Sequence, residues 1–137
     1  MRSFDLHHYD TDENAEWSVV QSLMDRIEAG AEEKPEFEIW ECGEGLKIVD
    51  VALAAMGNTA AWILERKKEK VSYFLARGYG PEYYECIYLG CPEFVRDCCL
   101  LSRADAELGI ISLIKRRELS IDWHWIPVTQ ALERLKR

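Results

Sequence analysis

The chain reads as an α+β domain, an antiparallel meander sheet of about six or seven strands with two main helices packed against it. Two segments carry apolar residues at helical spacing, one near each end. Between them, short runs of alternating or branched apolar residues follow one another across brief turns. Connections that short suit antiparallel neighbours and leave no room for crossover helices. At 137 residues the chain is expected to form a single domain, with 48% apolar residues to fill one core.

In chain order, residues 1–12 read as polar and irregular. A helix is expected from Glu13 to about Ala29, with Trp17, Val20, Leu23, Met24 and Ile27 on its buried stripe. Asp12 is the expected N-cap, Glu13 and Glu16 would lie in the first turn, and Gly30 is the stop. An acidic connector ends at Pro35, and strands follow at Phe37–Cys42 and Leu46–Ala55. Ala60–Glu65 and Val71–Ala76 form a hairpin around the charged loop Arg66–Lys70. That loop carries four cations without interleaved aromatics in the sequence, a poor signature for nucleic acid. Arg77 to Glu85 holds two glycines, a proline and three tyrosines, an exposed loop leading into a strand at Tyr84–Leu89. A strand at Glu93–Leu101 is interrupted in polarity by Arg96-Asp97. Ser102 then caps a helix from Arg103 to about Arg117 that would bury Leu108, Ile111 and Ile114, together with Ala104. Ile121–Ile126 is a last strand, with Trp123 and Trp125 on one face and His124 on the other. Thr129–Arg137 forms a short amphipathic tail, a helical turn or two.

The charge is unevenly placed. The first fifty residues hold fourteen of the 25 acidic residues and four of the 17 lysines and arginines, a formal −10, and the other eighty-seven sum to +2. Solubility accounts for acidity but not for its concentration. An acidic lobe disfavours phosphate backbones and favours a basic protein surface. No apolar run approaches the roughly 18 residues of a membrane span, and Met1–His8 lacks the apolar core of a signal peptide, so a cytoplasmic protein without membrane association is expected.

Five cysteines, an odd number with Cys98 and Cys99 adjacent, argue against a disulfide framework, and no CxxC or HxxxH spacing suits zinc. The thiols read as small hydrophobes, and neither metal nor cofactor is expected. GxSxG, GxxxxGK[ST] and GxGxxG are all absent. A protein that binds rather than catalyses is the expectation.

Leu46-Lys47-Ile48-Val49-Asp50-Val51, the hairpin of Ala60-Ala61-Trp62-Ile63-Leu64 with Val71–Ala76, and the helix from Ser102 to Ile114 followed by a strand bearing Trp123 are the parts that carry a family likeness. From Leu46 to Trp125 the sequence resembles the Imm-one type of immunity protein from bacterial polymorphic toxin systems. The likeness implies an inhibitor used in interbacterial competition. Such an inhibitor binds and neutralises a cognate toxin domain, often a nucleic-acid-targeting one such as a deaminase, by occluding its active site without chemistry of its own. The family's toxin-contacting residues vary, so none is carried over. From charge and composition, the expected contact surface is Asp12, Glu13 and Glu16 at the first helix, Glu32, Glu33 and Glu36 in the connector, and Tyr79, Glu82, Tyr83 and Glu85 in the loop. The alternatives are a small enzyme or ligand-binding domain with a pocket on the sheet, using His124 or a cysteine, and an adaptor that dimerises through its tail.

Overall fold

The computed structural model describes residues 4–8, 11–43 and 45–134, and of 11–14 and 134 the backbone alone. The fold is α+β with every strand pair antiparallel. The expected strands are present as β3 (Glu36–Glu41), β4 (Leu46–Met56), β5 (Thr59–Lys68), β6 (Val71–Arg77), β7 (Tyr83–Tyr88), β8 (Cys91–Arg96) and β9 (Trp123–Pro127). Three short strands join them, β1 (Phe4–His8), β2 (Thr11–Asn14) and β10 (Leu132–Arg134). The main helices are α1 (Trp17–Glu28) and α2 (Arg103–Lys115), and a single turn, α3 (Val128–Ala131), precedes β10.

β4 organises the sheet. Its first half pairs with β3 along one edge, and at Ala55 that same edge passes to Ile87 of β7. Its other edge is bonded to β5, which leads on through β6 to β9. Alternation along β4 sends Val49 and Val51 to one core and Ala52 and Ala54 to another. The first core lies under both helices. Val20, Leu23, Met24 and Ile27 of α1 and Ala106 and Ile110 of α2 meet Phe37, Ile39, Trp62, Leu64 and Leu75 there. The second core forms where the sheet curls over its other face, closing Ile63, Phe74, Cys86, Tyr88 and Val95 around Cys98, Cys99 and Ala131.

Several expectations are corrected. Of the segment expected to be irregular, residues 4–8 and 11–12 are instead in strands: His8 pairs with Thr11 and Asp5 with Asn14, and β1 also pairs with β3. Asp12 is therefore a strand residue opposite His7 and not an N-cap. Glu16 takes the cap position without a side-chain hydrogen bond, so neither Glu13 nor Glu16 lies in the first helical turn. At the other end Gly30 adopts φ +73°, the left-handed conformation that favours glycine at a helix stop. β5 runs three residues further than its expected end, and the turn onto β6 is made by Glu69 and Lys70, both left-handed. The strand expected over Glu93–Leu101 ends at Arg96 and gives way to a 3-10 turn at Asp97–Cys99, after which Leu101 bridges back to Trp62.

α2 begins as expected, with Ser102 Oγ accepting from Asp105 N at 3.2 Å. Its buried stripe is Ala106, Gly109 and Ile110, whereas Leu108 and Ala104 are exposed and Ile111 and Ile114 half-buried. Gly109 sets this face. A Cβ there would stand 2.5 Å from Leu75 Cδ2 and 2.9 Å from Leu64 Cδ2, so any other residue would force these buried leucine ends to shift. The tail is only one helical turn before it becomes β10 beside β8, because the β8 edge offers unpaired backbone groups that a continued helix would leave open. Trp62 is fully buried and Trp123 half-buried under the Arg77 guanidinium, 5.3 Å from its ring centroid.

Candidate functional site

Strand register lines up a row of polar side chains. His7 on β1 stands opposite Glu38 on β3, Glu38 opposite Asp50 on β4, and Asp50 opposite Glu65 on β5. The row borders the second core, where Ala52, Ile63 and Phe74 give way to charge. With Lys34, Glu36, Tyr88 and Leu89 it lines a cleft of about 360 Å³. Lys47 Nζ lies 3.1 Å from Asp50 Oδ2 and 3.5 Å from Glu38 Oε2. Trp40 Nε1 donates to Glu38 Oε1 at 3.0 Å, and the Tyr88 hydroxyl donates to Glu65 Oε1 at 2.7 Å.

The electrostatics of the row are unbalanced. Burial works against the Glu38 carboxylate, but Trp40 and Lys47 outweigh it and leave its pKa below the ordinary value. Asp50 goes the other way. Burial, reinforced by the charges of Glu38 and Glu65, outweighs Lys47 and holds its pKa above the ordinary value. Burial resists the Lys47 charge, yet Asp50 and Glu38 raise its pKa overall. Like charges on directly opposed strands destabilise a sheet, so a cationic group entering from outside would relieve this cleft. A guanidinium or ammonium on a partner protein has the required charge and reach.

Beside the cleft lies an exposed apolar ribbon. Tyr83, Ile87 and Leu89 are 39%, 46% and 50% exposed, with Glu85 between the first two and Pro92 opposite Ile87. Leu89 also lines the cleft, which makes the acidic and apolar surfaces continuous. Exposed apolar patches rimmed by charge mark interaction sites.

The expected contact residues divide accordingly. Glu36 lines the cleft, and Tyr83 and Glu85 lie on the ribbon. Glu82 is exposed at its start, its carbonyl accepting from Asp97 N at 2.8 Å. Tyr79 is 68% exposed and stacks on His124 with centroids 4.4 Å apart. The Tyr83 hydroxyl donates to Gln130 O at 2.7 Å, so this loop is tied to the tail. Glu32 is taken by Arg26 at 2.8 Å, Glu33 is exposed in the connector, and Glu16 is exposed before α1. The side chains of Asp12 and Glu13 lie outside the described residues. Sequence reasoning missed Glu38, Asp50 and Glu65, since each reads alone as the solvated half of an alternating strand. The one local signal was Asp50, a carboxylate inside the branched run Ile48–Leu53.

Cys86, Cys98 and Cys99 are buried, Cys42 half-buried and Cys91 exposed, all as free thiols. Burial, with Glu93 and Glu85 nearby, pushes the Cys86 thiol up to about 11, and burial raises Cys99 further, which makes both poor nucleophiles. Among the described residues no group of three or more His, Cys, Asp or Glu is placed to hold a metal ion, and no helix is long and apolar enough to cross a membrane. No family model, curated protein or solved structure matches the chain.

Proposed function

We propose that this chain is a cytoplasmic immunity protein that neutralises a toxin domain by covering its active site, acting by binding alone. The observation that carries the reading is the acidic cleft of Glu36, Glu38, Asp50 and Glu65 running into the exposed ribbon of Tyr83, Ile87 and Leu89. A toxin that acts on nucleic acid, such as a deaminase, needs a cationic groove for phosphate. A carboxylate-lined cleft accepts the lysine and arginine side chains of such a groove, and the ribbon supplies the water-excluding apolar centre of an interface. The resemblance from Leu46 to Trp125 points the same way.

The reading predicts a toxin domain encoded beside this chain, and the test is binding to it, with two double variants. Tyr83→Ala with Ile87→Ala is expected to weaken binding through faster dissociation, by about 2 kcal/mol or more. Asp50→Asn with Glu65→Gln is expected to weaken it as well, by leaving toxin cations unpaired. Wild-type affinity in both variants, each shown to be folded by a cooperative melt, would remove this surface from the interface.

A further inference from the structure

The helix-covered face carries a second concavity of opposite charge. α2 ends at Lys115, and the chain turns through Arg116 and Leu119 before rejoining the sheet at β9. Between this turn and the strands lies a cleft of about 590 Å³. Leu75, Trp123 and Trp125 contribute its apolar surface, and Arg66, Arg116 and Arg117 its charge. Glu118 is the carboxylate among the lining residues.

The arginines of this cleft differ from three others in the chain. Arg26, Arg77 and Arg103 are each paired with carboxylates, Arg103 with three of them. Arg66, Arg116 and Arg117 are exposed, and no ion pair engages them among the described residues, in a chain with 25 acidic side chains and a net charge of −8. Arg116 also holds a left-handed backbone, φ 51°, at a helix end where glycine would be less strained. The Arg66 guanidinium lies 5.9 Å from the Trp125 ring centroid. A smaller hollow of about 270 Å³, lined by Arg66, Lys68, Tyr73 and Trp125, adjoins the cleft through two shared residues. The aromatics that the Arg66–Lys70 segment lacks in sequence are thus brought beside it by pairing, Tyr73 directly opposite Arg66.

From this we infer that the cleft between the end of α2 and strands β6 and β9 is a binding site for a nucleoside phosphate. Half-buried tryptophan faces take a planar base, unpaired guanidiniums take phosphate oxygens, and a carboxylate accepts from ribose hydroxyls. The volume falls within the roughly 300–1,000 Å³ of small-ligand sites. A free mononucleotide is favoured over a nucleic-acid strand, because the −8 of the whole molecule opposes a polyanion while a single phosphate group meets only the local arginines. The site lies on the face opposite the acidic cleft and does not depend on a toxin partner.

Titration of the full chain with ADP, adenosine and inorganic phosphate tests this, read by tryptophan fluorescence and calorimetry. ADP is expected to bind saturably and at least about tenfold more tightly than adenosine or phosphate alone. Arg66→Gln and Arg117→Gln, both at exposed positions, should each weaken ADP about tenfold at unchanged melting temperature, and Arg117→Gln should leave adenosine binding unchanged. Phosphate binding as tightly as ADP would reduce the site to a simple anion hole and overturn the proposal. Wild-type ADP affinity in the double variant would overturn it too. A single-stranded oligonucleotide binding far more tightly than ADP would overturn the assignment to a mononucleotide.

Discussion

At Gly109 a missing side chain decides a helix orientation. A methyl group at this position would have to displace the fully buried ends of Leu64 and Leu75. Gly109→Ala, a change that favours helix formation in isolation, is therefore expected to destabilise the fold by about 1–3 kcal/mol through overpacking, measurable by urea denaturation. Asp50 poses the converse case, a charge the fold disfavours. Its raised pKa means that the folded state prefers the protonated form, so the ionised carboxylate lowers stability at neutral pH and the deficit fades as pH falls through the folded pKa. Asp50→Asn should accordingly melt higher than wild type near pH 7, by up to about 1 kcal/mol, with the gap closing on acidification toward pH 4. If the same substitution weakens toxin binding, Asp50 joins the residues kept for function at the expense of stability.

Elements were legible where local pattern and tertiary context agree. The stripe Val20, Leu23, Met24, Ile27 identified α1, and Leu46–Ala55 identified β4, since each segment buries the residues its period selects. The α2 stripe misled because Leu108 and Ile111 outrank Ala106 and Gly109 in hydrophobicity, while helix-to-sheet distance favours the small pair. β1 carries only a short alternation, Phe4 and Leu6 against Asp5 and His7, and β2, Thr11–Asn14, has no apolar residue, so neither stood out until pairing with β3 and burial of Phe4 and Leu6 in the first core ordered the hairpin. The candidate site was legible only as an excess of acid. Its geometry depends on the registers that set Glu38, Asp50 and Glu65 side by side, and register is a property of three strands at once. The tail carries its own prediction. Ending the chain after Pro127 removes Ala131 from the second core and β10 from the β8 edge. Such a truncation should lower the melting temperature and raise light scattering, as the freed edge pairs between molecules.

At the scale of the whole molecule, the sheet separates two surfaces of opposite sign, carboxylates around Asp50 on one face and guanidiniums around Trp125 on the other. Exposed charges are screened beyond about 8 Å at physiological salt. On the proposed immunity reading, the association rate with a basic toxin should therefore fall steeply between low and high ionic strength, and a stopped-flow rate that stays flat would remove electrostatic steering from that reading. The sharing of one β4 edge between β3 and β7 has a further effect. β4 cannot leave the sheet without breaking both that junction and the β5 pairing behind it, and its residues feed both cores. Hydrogen–deuterium exchange at the β4 amides from Val49 to Ala54 should thus proceed only through global unfolding, so that this one strand reports the stability of the entire domain while the terminal hairpin exchanges ahead of it.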